Sequence, residues 1–167
     1  MYRFLIVLVL CAALAPIVPL WVEHQNNQTS ETAAATSNAS SETGERRHRI
    51  SANRSGQFVA DVHLNGHMHE MLVDTGASAT VLPVSVARIV GIFPANDDFK
   101  LRVSTANGTT YGARAVIDRL QIGRINLRNI EALVLQDSSL SIPLLGMTAL
   151  NKLDRFDISN GTLVLIQ

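Results

Sequence analysis

The fold of this chain is decided by residues 71–83, which read MLVDTGASATVLP. Two apolar runs, Met71–Val73 and Thr80–Leu82, flank a short segment that contains Asp74 and Gly76. The apolar runs are predicted to be strands, and the glycine permits a tight turn between them. A carboxylate at the end of an apolar strand is costly to bury unless it has hydrogen-bond partners. Asp74 is therefore predicted to lie in apolar surroundings while the turn keeps it accessible.

Short apolar runs separated by turns continue through residues 51–167. The dipeptide Asn-Gly is a strong hairpin signal. It lies between strand-like segments at three places: Asn65-Gly66, Asn107-Gly108 and Asn160-Gly161. Gly123-Arg124 marks a fourth, weaker turn.

Helix is indicated in two stretches only. Residues 83–90 begin with a proline and stop at Gly91, and residues 147–153 follow Gly146. The domain is therefore predicted to be all-β, as a barrel or sandwich with one or two short helices.

The N-terminal residues 1–22 contain an uncharged apolar run of 19 residues, from Phe4 to Val22. A run of this length can cross a hydrocarbon core of about 30 Å as a helix. A cleaved signal peptide is the alternative, because Ala13-Leu14-Ala15 resembles a cleavage motif. Pro16 would then be the first mature residue, which is unfavourable. We expect residues 1–22 to be a transmembrane anchor.

Charge around this run predicts its orientation. Arg3 precedes the run, and the next Lys or Arg after it is Arg46. By the positive-inside rule, the N-terminus is expected to be cytoplasmic and the rest of this single-pass protein to be exported, periplasmic or extracellular.

Residues 23–50 are expected to be a polar spacer. Ser, Thr, Asn, Gln and Ala dominate them, and large aliphatic residues are absent between Glu23 and Ile50. Such a segment cannot bury enough apolar surface to offset its ordering entropy, so it is expected to be disordered. It ends in the basic cluster Arg46–Arg49 and leaves residues 51–167 as the folded domain.

Composition excludes several functions. The chain has 14 basic and 14 acidic residues, so it lacks the positive charge of a nucleic-acid binder. One cysteine, Cys11, allows neither an internal disulfide framework nor a cysteine-based zinc site. His63, His67 and His69 surround the first Asn-Gly turn, where a hairpin of solvated polar side chains explains them. We therefore predict no metal and no cofactor.

Four segments together resemble a known family. Asp74-Thr75-Gly76-Ala77-Ser78 between apolar runs resembles the active-site loop of retropepsin-like aspartic proteases. Residues 103–116 resemble the flap of these enzymes, Ile142–Gly146 resembles their apolar-apolar-Gly element, and Thr162–Gln167 supplies a terminal strand. The resemblance covers residues 55–167 and implies a closed acid-protease barrel. With the anchor and spacer, the chain resembles bacterial membrane-anchored members.

This resemblance implies an aspartic endopeptidase that acts as a homodimer on extended polypeptides. Acid proteases use two carboxylates that share one proton. This chain contains a single Asp-Thr-Gly, so two chains are needed. We expect a two-fold dimer in which both Asp74 side chains meet on the symmetry axis.

The resemblance also assigns roles by position. Thr75 would hydrogen bond to the partner loop, and Gly76 would present its backbone N–H to a carboxylate. The other assignments are Ala77 and Ser78 in the loop, Ala106, Asn107, Gly108 and Tyr111 in the flap, and Leu145 and Gly146 behind the loop.

Two features depart from the family pattern. Ala77 stands where two-lobed pepsins carry a hydroxyl that favours the ionised carboxylate, so activity is expected at weakly acidic pH. Residues 163–166 form an apolar C-terminal strand that would be an aggregation hazard if left as an edge. Such a strand pairs across the dimer in retroviral enzymes, but here it would equally well close the barrel of its own chain.

Two other classes of function remain as alternatives. A non-catalytic module with the same barrel would hold an extended peptide by strand addition, and Asp74 would then be a remnant. A structural envelope protein is the third class. The complete Asp-Thr-Gly-Ala-Ser sequence favours the protease, since a remnant has no chemical reason to retain an acid in an apolar loop.

Overall fold

The computed structural model describes residues 44–105 and 108–167. Within them, Glu45–Gln167 forms one compact unit. The predicted anchor, residues 1–22, and most of the predicted spacer lie outside the described residues. Of the helices that the structure describes, none is long and apolar enough to cross a membrane.

Strands dominate the part of the chain that the structure describes, as predicted. The ten strands within residues 44–105 and 108–167 are β1 (Arg47–Ser51), β2 (Val59–Leu64), β3 (His67–Val73), β4 (Thr80–Pro83), β5 (Leu101–Thr105), β6 (Gly108–Ile122), β7 (Ile125–Leu135), β8 (Leu144–Leu145), β9 (Arg155–Ser159) and β10 (Thr162–Ile166). The described residues also include two short α-helices, α1 (Val84–Ile89) and α2 (Met147–Leu150), and a 3-10 turn over Asn96–Asp98.

The larger sheet has seven strands in the order β2-β3-β8-β4-β7-β6-β5. Strand β2 also pairs with β6, where His63 and Leu64 lie opposite Gln121 and Leu120. This second pairing curls the sheet around a core of aliphatic side chains. Leu64, Leu82 and other residues of this core are completely buried.

The smaller sheet has three strands in the order β1-β10-β9. Its central strand, β10, pairs with β1 on one side and with β9 on the other, both within the same chain. Leu163 and Leu165 of β10 are fully buried. Of the two alternatives for the C-terminal strand, the structure therefore shows the one in which it closes its own domain.

Strand β1 corrects the predicted boundary of the spacer at residue 50. Arg47–Ser51 is an ordered strand, and Arg46 continues its pairing through a 2.6 Å hydrogen bond from its N–H to the Gln167 carbonyl. Ile50 is buried on the inner face while Arg49 and Ser51 are exposed. The basic residues mark the solvent side of a strand, and the backbone partner that stabilises it comes from the other end of the domain.

The turns form where Asn-Gly predicts them. Asn65 and Gly66 have φ values of 48° and 95°, and Asn160 and Gly161 have 48° and 69°. Positive φ at both positions is the type I′ geometry that matches strand twist. Gly123-Arg124 joins β6 to β7, while Asn107 lies outside the described residues.

Both helices form but are shorter than predicted. Helix α1 ends before Gly91, whose φ of 82° suits a position just past a helix. Helix α2 ends at Leu150, and a turn stabilised by the Leu153 N–H bond to the Leu150 carbonyl completes the predicted stretch.

The three histidines divide between the two faces of the β2–β3 hairpin. His67 and His69 pair with Leu64 and Val62 and share their face, whereas His63 pairs with Met68 on the other face. Among the residues in the described ranges, no three potential ligands cluster as a metal site would require. The buried Nε2 atom of His69 has no hydrogen-bond partner. Burial, and secondarily the nearby His67, lower the pKa of His69.

We predict that His69 makes the domain less stable in acid. Because its pKa is lower in the folded chain than the ordinary value of 6.5, the unfolded chain binds the proton more readily. Neutral His69 contributes its full stabilisation above pH 6.5. This contribution is lost as the pH falls through the lower pKa that His69 has in the folded chain. His69→Leu should therefore reduce the drop in melting temperature between pH 7.5 and pH 5.

Thermal unfolding followed by circular dichroism measures this effect. The exposed His63→Gln, on the opposite face of the same hairpin, is the matched control and should retain the wild-type drop. An undiminished drop in His69→Leu would contradict the assignment.

Candidate active site

The loop that carries Asp74 connects two strands that both border β8. Strand β3 runs parallel to β8, with Val73 opposite Leu145, and β4 runs antiparallel to it, with Val81 opposite Leu144. The Asp74 N–H continues the first pairing through a 3.1 Å bond to the Leu145 carbonyl. Two residues of β8 therefore fix both ends of the loop.

The Asp74 carboxylate is held by its own turn. Its Oδ1 accepts a 2.8 Å hydrogen bond from the Gly76 N–H, and the Ala77 N–H approaches the Asp74 carbonyl at 3.3 Å. A Cβ atom at position 76 would lie 3.1 Å from the same Oδ1, so glycine permits this close approach. The side chain is only half-buried and is accessible to a substrate or a second chain.

Gly146 packs directly behind the loop. A Cβ atom there would overlap the Ala79 carbonyl and would lie 2.8 Å from the Ala77 carbonyl oxygen. These are backbone atoms, which cannot move aside as a flexible side chain would. The Met147 N–H also donates a 2.9 Å bond to the Ala77 carbonyl, and Leu145 is fully buried. The structure thus places the Leu145-Gly146 pair against the loop.

A threonine pair, which the sequence reasoning missed, supports the far end of the loop. Thr80 is completely buried, and its N–H donates a 2.8 Å bond to the Thr148 hydroxyl. That hydroxyl in turn donates to the Thr80 Oγ1 at 3.1 Å. The sequence contains only a weak indication of this pair, namely that Thr148 is the one polar side chain within the sequence MTAL of α2.

The other predicted site residues lie around this centre. Thr75 and Ser78 are exposed in the loop, and Ala77 is half-buried. The segment predicted to be the flap forms the β5–β6 hairpin, whose last pair is Thr105 opposite Gly108. Of the flap tip, Ala106 and Asn107 lie outside the described residues. Tyr111 sits on β6 opposite Arg102 and is 57% exposed, so it is not packed into the site of the single chain.

A cavity of about 610 Å³ opens beside the loop. Ala79, from the end of the loop, and Thr148, from α2, form one side of it. Strands β5, β6 and β7 contribute an apolar lining together with two charged residues, Arg114 and Glu131. The cavity has the mixed lining expected of a site for a side chain of a bound ligand.

Comparison with known proteins identifies this arrangement. Residues 60–152 match the family described as "gag-polyprotein putative aspartyl protease", which is more than half of the chain. The chain belongs to the retropepsin-like aspartic protease family. The matched range contains both the Asp74 loop and the Leu145-Gly146 element behind it.

Solved structures agree with this membership. The retropepsin-like chain is 31% identical to a retropepsin-like aspartic protease from Rickettsia conorii, with a TM-score of 0.64 over 73% of this chain and 91% of that one. EIAV protease, solved in complex with the inhibitor HBY-793, has the same fold at 16% identity. Its TM-score is 0.50, over 61% of this chain and 92% of the viral one.

A curated relative from Sinorhizobium sp, described as "Uncharacterized protein in cobV 5'region", is 37% identical over 109 residues. The match covers 65% of the retropepsin-like chain and 47% of the relative, so the chain spans about half the length of that protein.

We predict that Thr148→Val destabilises the retropepsin-like domain. The substitution leaves the buried N–H and hydroxyl of Thr80 without their partner, which should lower the free energy of unfolding by about 1–3 kcal/mol. Urea denaturation of wild type and variant measures the difference. Thr148→Ser retains the hydroxyl and should keep most of the stability. Equal stability of the valine and wild-type proteins would show that the pair contributes nothing.

Proposed function

We propose that this chain is an aspartic endopeptidase that cleaves extended polypeptides as a homodimer. The observation that carries the proposal is the half-buried Asp74 carboxylate, held at the end of an apolar strand by the Gly76 N–H and left accessible. Family membership and the shared fold support the same chemistry.

The mechanism requires two carboxylates. One Asp74, ionised, removes a proton from water while the oxygen attacks the carbonyl carbon of the peptide bond. The other Asp74, protonated, hydrogen bonds to the carbonyl oxygen and stabilises its developing charge. Collapse of the tetrahedral intermediate breaks the C–N bond, and the proton taken from water passes to the leaving nitrogen. Each chain supplies one Asp-Thr-Gly, so the site is complete only in a dimer.

Substrate would bind between the Asp74 loop and the flap. The β5–β6 hairpin presents backbone groups to an extended peptide, and the neighbouring cavity offers apolar contacts from Leu101, Val116 and Leu133. This lining favours substrates that place an apolar side chain in the cavity. Thr75, exposed at the loop tip, would brace the loop of the second chain.

We further propose that the protease is tethered to a membrane. The support is the uncharged 19-residue run from Phe4 to Val22 and the single charged residue, Arg3, that precedes it. The protease domain would then be exported, in the periplasm or outside the cell.

We predict that Asp74→Asn abolishes peptide cleavage. In a homodimer the substitution removes both carboxylates, so loss by about 10³-fold or more is expected, within the range of general acid–base catalysis. Cleavage of a diverse peptide library by the full chain, analysed by mass spectrometry, measures activity. Asp61→Asn changes an exposed aspartate on β2 and should leave activity unchanged. A stable monomer that cleaves nothing between pH 4 and 7.5 would favour a peptide-binding module.

We predict that Ala77→Ser moves the pH–rate profile toward acid. The methyl group of Ala77 cannot donate a hydrogen bond, and Gly76 is the donor to the Asp74 carboxylate among the described residues. A hydroxyl at position 77 would favour the ionised dyad, so the acidic limb of kcat/KM should shift to lower pH. Ala52→Ser, distant in sequence from the loop, should not shift it. A wild-type optimum near pH 2 would contradict the argument.

A further inference from the structure

Two arginines lie directly opposite each other on the long hairpin that β6 and β7 form. Arg119 of β6 pairs with Arg128 of β7, and both residues are exposed. Side chains in such a pair share one face of the sheet, with their Cβ atoms about 5 Å apart. Like charges in this position destabilise the strand pair, so an anion bound between the two guanidinium groups would relieve their repulsion.

Backbone hydrogen bonds show that this is the closer of the two kinds of antiparallel pair. The Arg119 N–H donates to the Asn65 Oδ1 at 3.0 Å, and the Arg119 carbonyl accepts the Asn65 N–H at 2.9 Å. On the other strand, the Arg128 carbonyl accepts a 3.1 Å bond from the Lys152 Nζ. These backbone groups point away from the partner strand, as in a pair without mutual hydrogen bonds, in which the side chains are closest. Lys152 adds a third positive charge beside the two arginines.

Among the residues that the structure describes, no carboxylate neutralises these three groups. The one ion pair there joins Arg47 to Glu45. Asp118 lines a cavity of about 680 Å³ together with both arginines, but it forms no ion pair with them. Asn65 and Asn129 also line this cavity. The opposed arginines therefore border a polar cavity that has an excess of positive charge.

The positive surface continues to the place where the chain enters the folded domain. The Gln167 side chain bonds to both the N–H and the carbonyl of Asn126, at 2.9 and 2.7 Å, and the Gln167 backbone pairs with Arg46. Asn126 also donates from its side chain to the carbonyl of the exposed Arg124, at 3.1 Å. Arg46, at the start of the domain, is therefore close to the end of the hairpin. We refer to Arg119, Arg124, Arg128 and Lys152 as the basic end of the hairpin.

The basic end is remote from the predicted flap and from the Asp74 loop. Strand β6 begins in the flap at Gly108, and roughly 35 Å of extended strand separates Gly108 from Arg119. The Asp74 loop ends in β4, which pairs with residues 132–135 of β7, on the flap side of the basic end. A surface that contacted the basic end would therefore leave the loop and the flap uncovered.

We propose that the basic end docks on the anionic phospholipid headgroups of the membrane to which the chain is tethered. This inference rests on the proposed tether, because the tether keeps the bilayer within reach of the domain, and it does not depend on peptide cleavage. A headgroup phosphate would lie between Arg119 and Arg128, since guanidinium groups donate paired hydrogen bonds to phosphate oxygens. Docking would hold the Asp74 loop and the flap away from the bilayer.

Charge distribution favours a bilayer over other anionic partners. An anionic bilayer attracts arginine and lysine side chains close to its surface and presents many phosphates at once. The basic end suits such a surface, because its charges come from two strands, a turn and the segment after α2. The whole chain has 14 basic and 14 acidic residues, so it lacks the overall positive charge that a nucleic-acid partner would require. The attraction is local and would therefore orient the domain.

Energy transfer to the bilayer tests this orientation. The full chain carrying Cys11→Ser is reconstituted in vesicles that contain an acceptor dye on their headgroups. A donor dye is attached to Asn151→Cys, exposed beside the basic end, or to Thr109→Cys, exposed in the flap. With equal amounts of phosphatidylcholine and phosphatidylglycerol, transfer should be strong from residue 151 and weak from residue 109. The difference should disappear in phosphatidylcholine alone and at about 1 M salt, where the Debye length is about 3 Å.

Two double variants examine the arginines themselves. Arg119→Gln combined with Arg128→Gln should lower the ratio of docked to undocked domain on anionic vesicles by about tenfold or more. Lys100→Gln combined with Arg102→Gln removes the same charge from exposed positions nearer the flap and should retain docking. In a neutral detergent the first variant should melt no lower than wild type, because it removes a repulsion and no ion pair. Circular dichroism measures the melting temperatures.

The outcomes separate this inference from the other proposals. Equal transfer from residues 151 and 109 on anionic vesicles, or full docking by the folded arginine variant, would overturn the docking surface and leave the protease proposal in place. Stabilisation of the domain by inorganic phosphate without docking on vesicles would assign the site to a free anion and would also overturn it. Peptide cleavage in neutral detergent should be equal in wild type and the arginine variant. A docked wild-type chain that cleaves no peptide would overturn the protease proposal alone.

Discussion

The Asp74 loop depends on a strand of only two residues. Leu144 and Leu145 of β8 lie between β3 and β4, and the Leu145 carbonyl accepts the Asp74 N–H at 3.1 Å. Gly146 then passes so close to Ala77 and Ala79 that no side chain fits. Both strands that flank the loop, β3 and β4, pair with the same short strand, β8. Backbone contacts therefore position the Asp74 carboxylate, which does not depend on flexible side chains.

Polar groups at this site are satisfied locally and across long distances in the sequence. The Asp74 carboxylate receives its bond from a residue two positions away, Gly76. Thr80, by contrast, is bonded to Thr148, 68 residues further along the chain. The first contact lies within the loop itself, whereas the second requires α2 to be packed against the end of the loop. Rigidity of the site is therefore coupled to folding of the whole domain.

Local features were the ones that the sequence predicted well. The Asn-Gly turns, the glycine after α1 and the Asp-Thr-Gly loop each follow from conformational preferences within a few residues. Strand β1 was missed because its partner is β10, at the opposite end of the domain, and its own composition is basic. The bond between Thr148 and Thr80 was missed for the same reason, since nothing near either threonine indicates its partner. Site residues in the loop were named from a resemblance, and their packing became visible only in three dimensions.

The pairing of β1 with β10 brings the two ends of the folded domain to one place. The Arg46 N–H and carbonyl bond to the Gln167 carbonyl and N–H, at 2.6 and 2.9 Å. A force applied between residue 46 and residue 167 would therefore load these hydrogen bonds one after another, like a zipper, instead of shearing them together. The domain should be mechanically weak along this direction. Peeling would begin at the small sheet, well before tension reached the larger sheet that carries the loop.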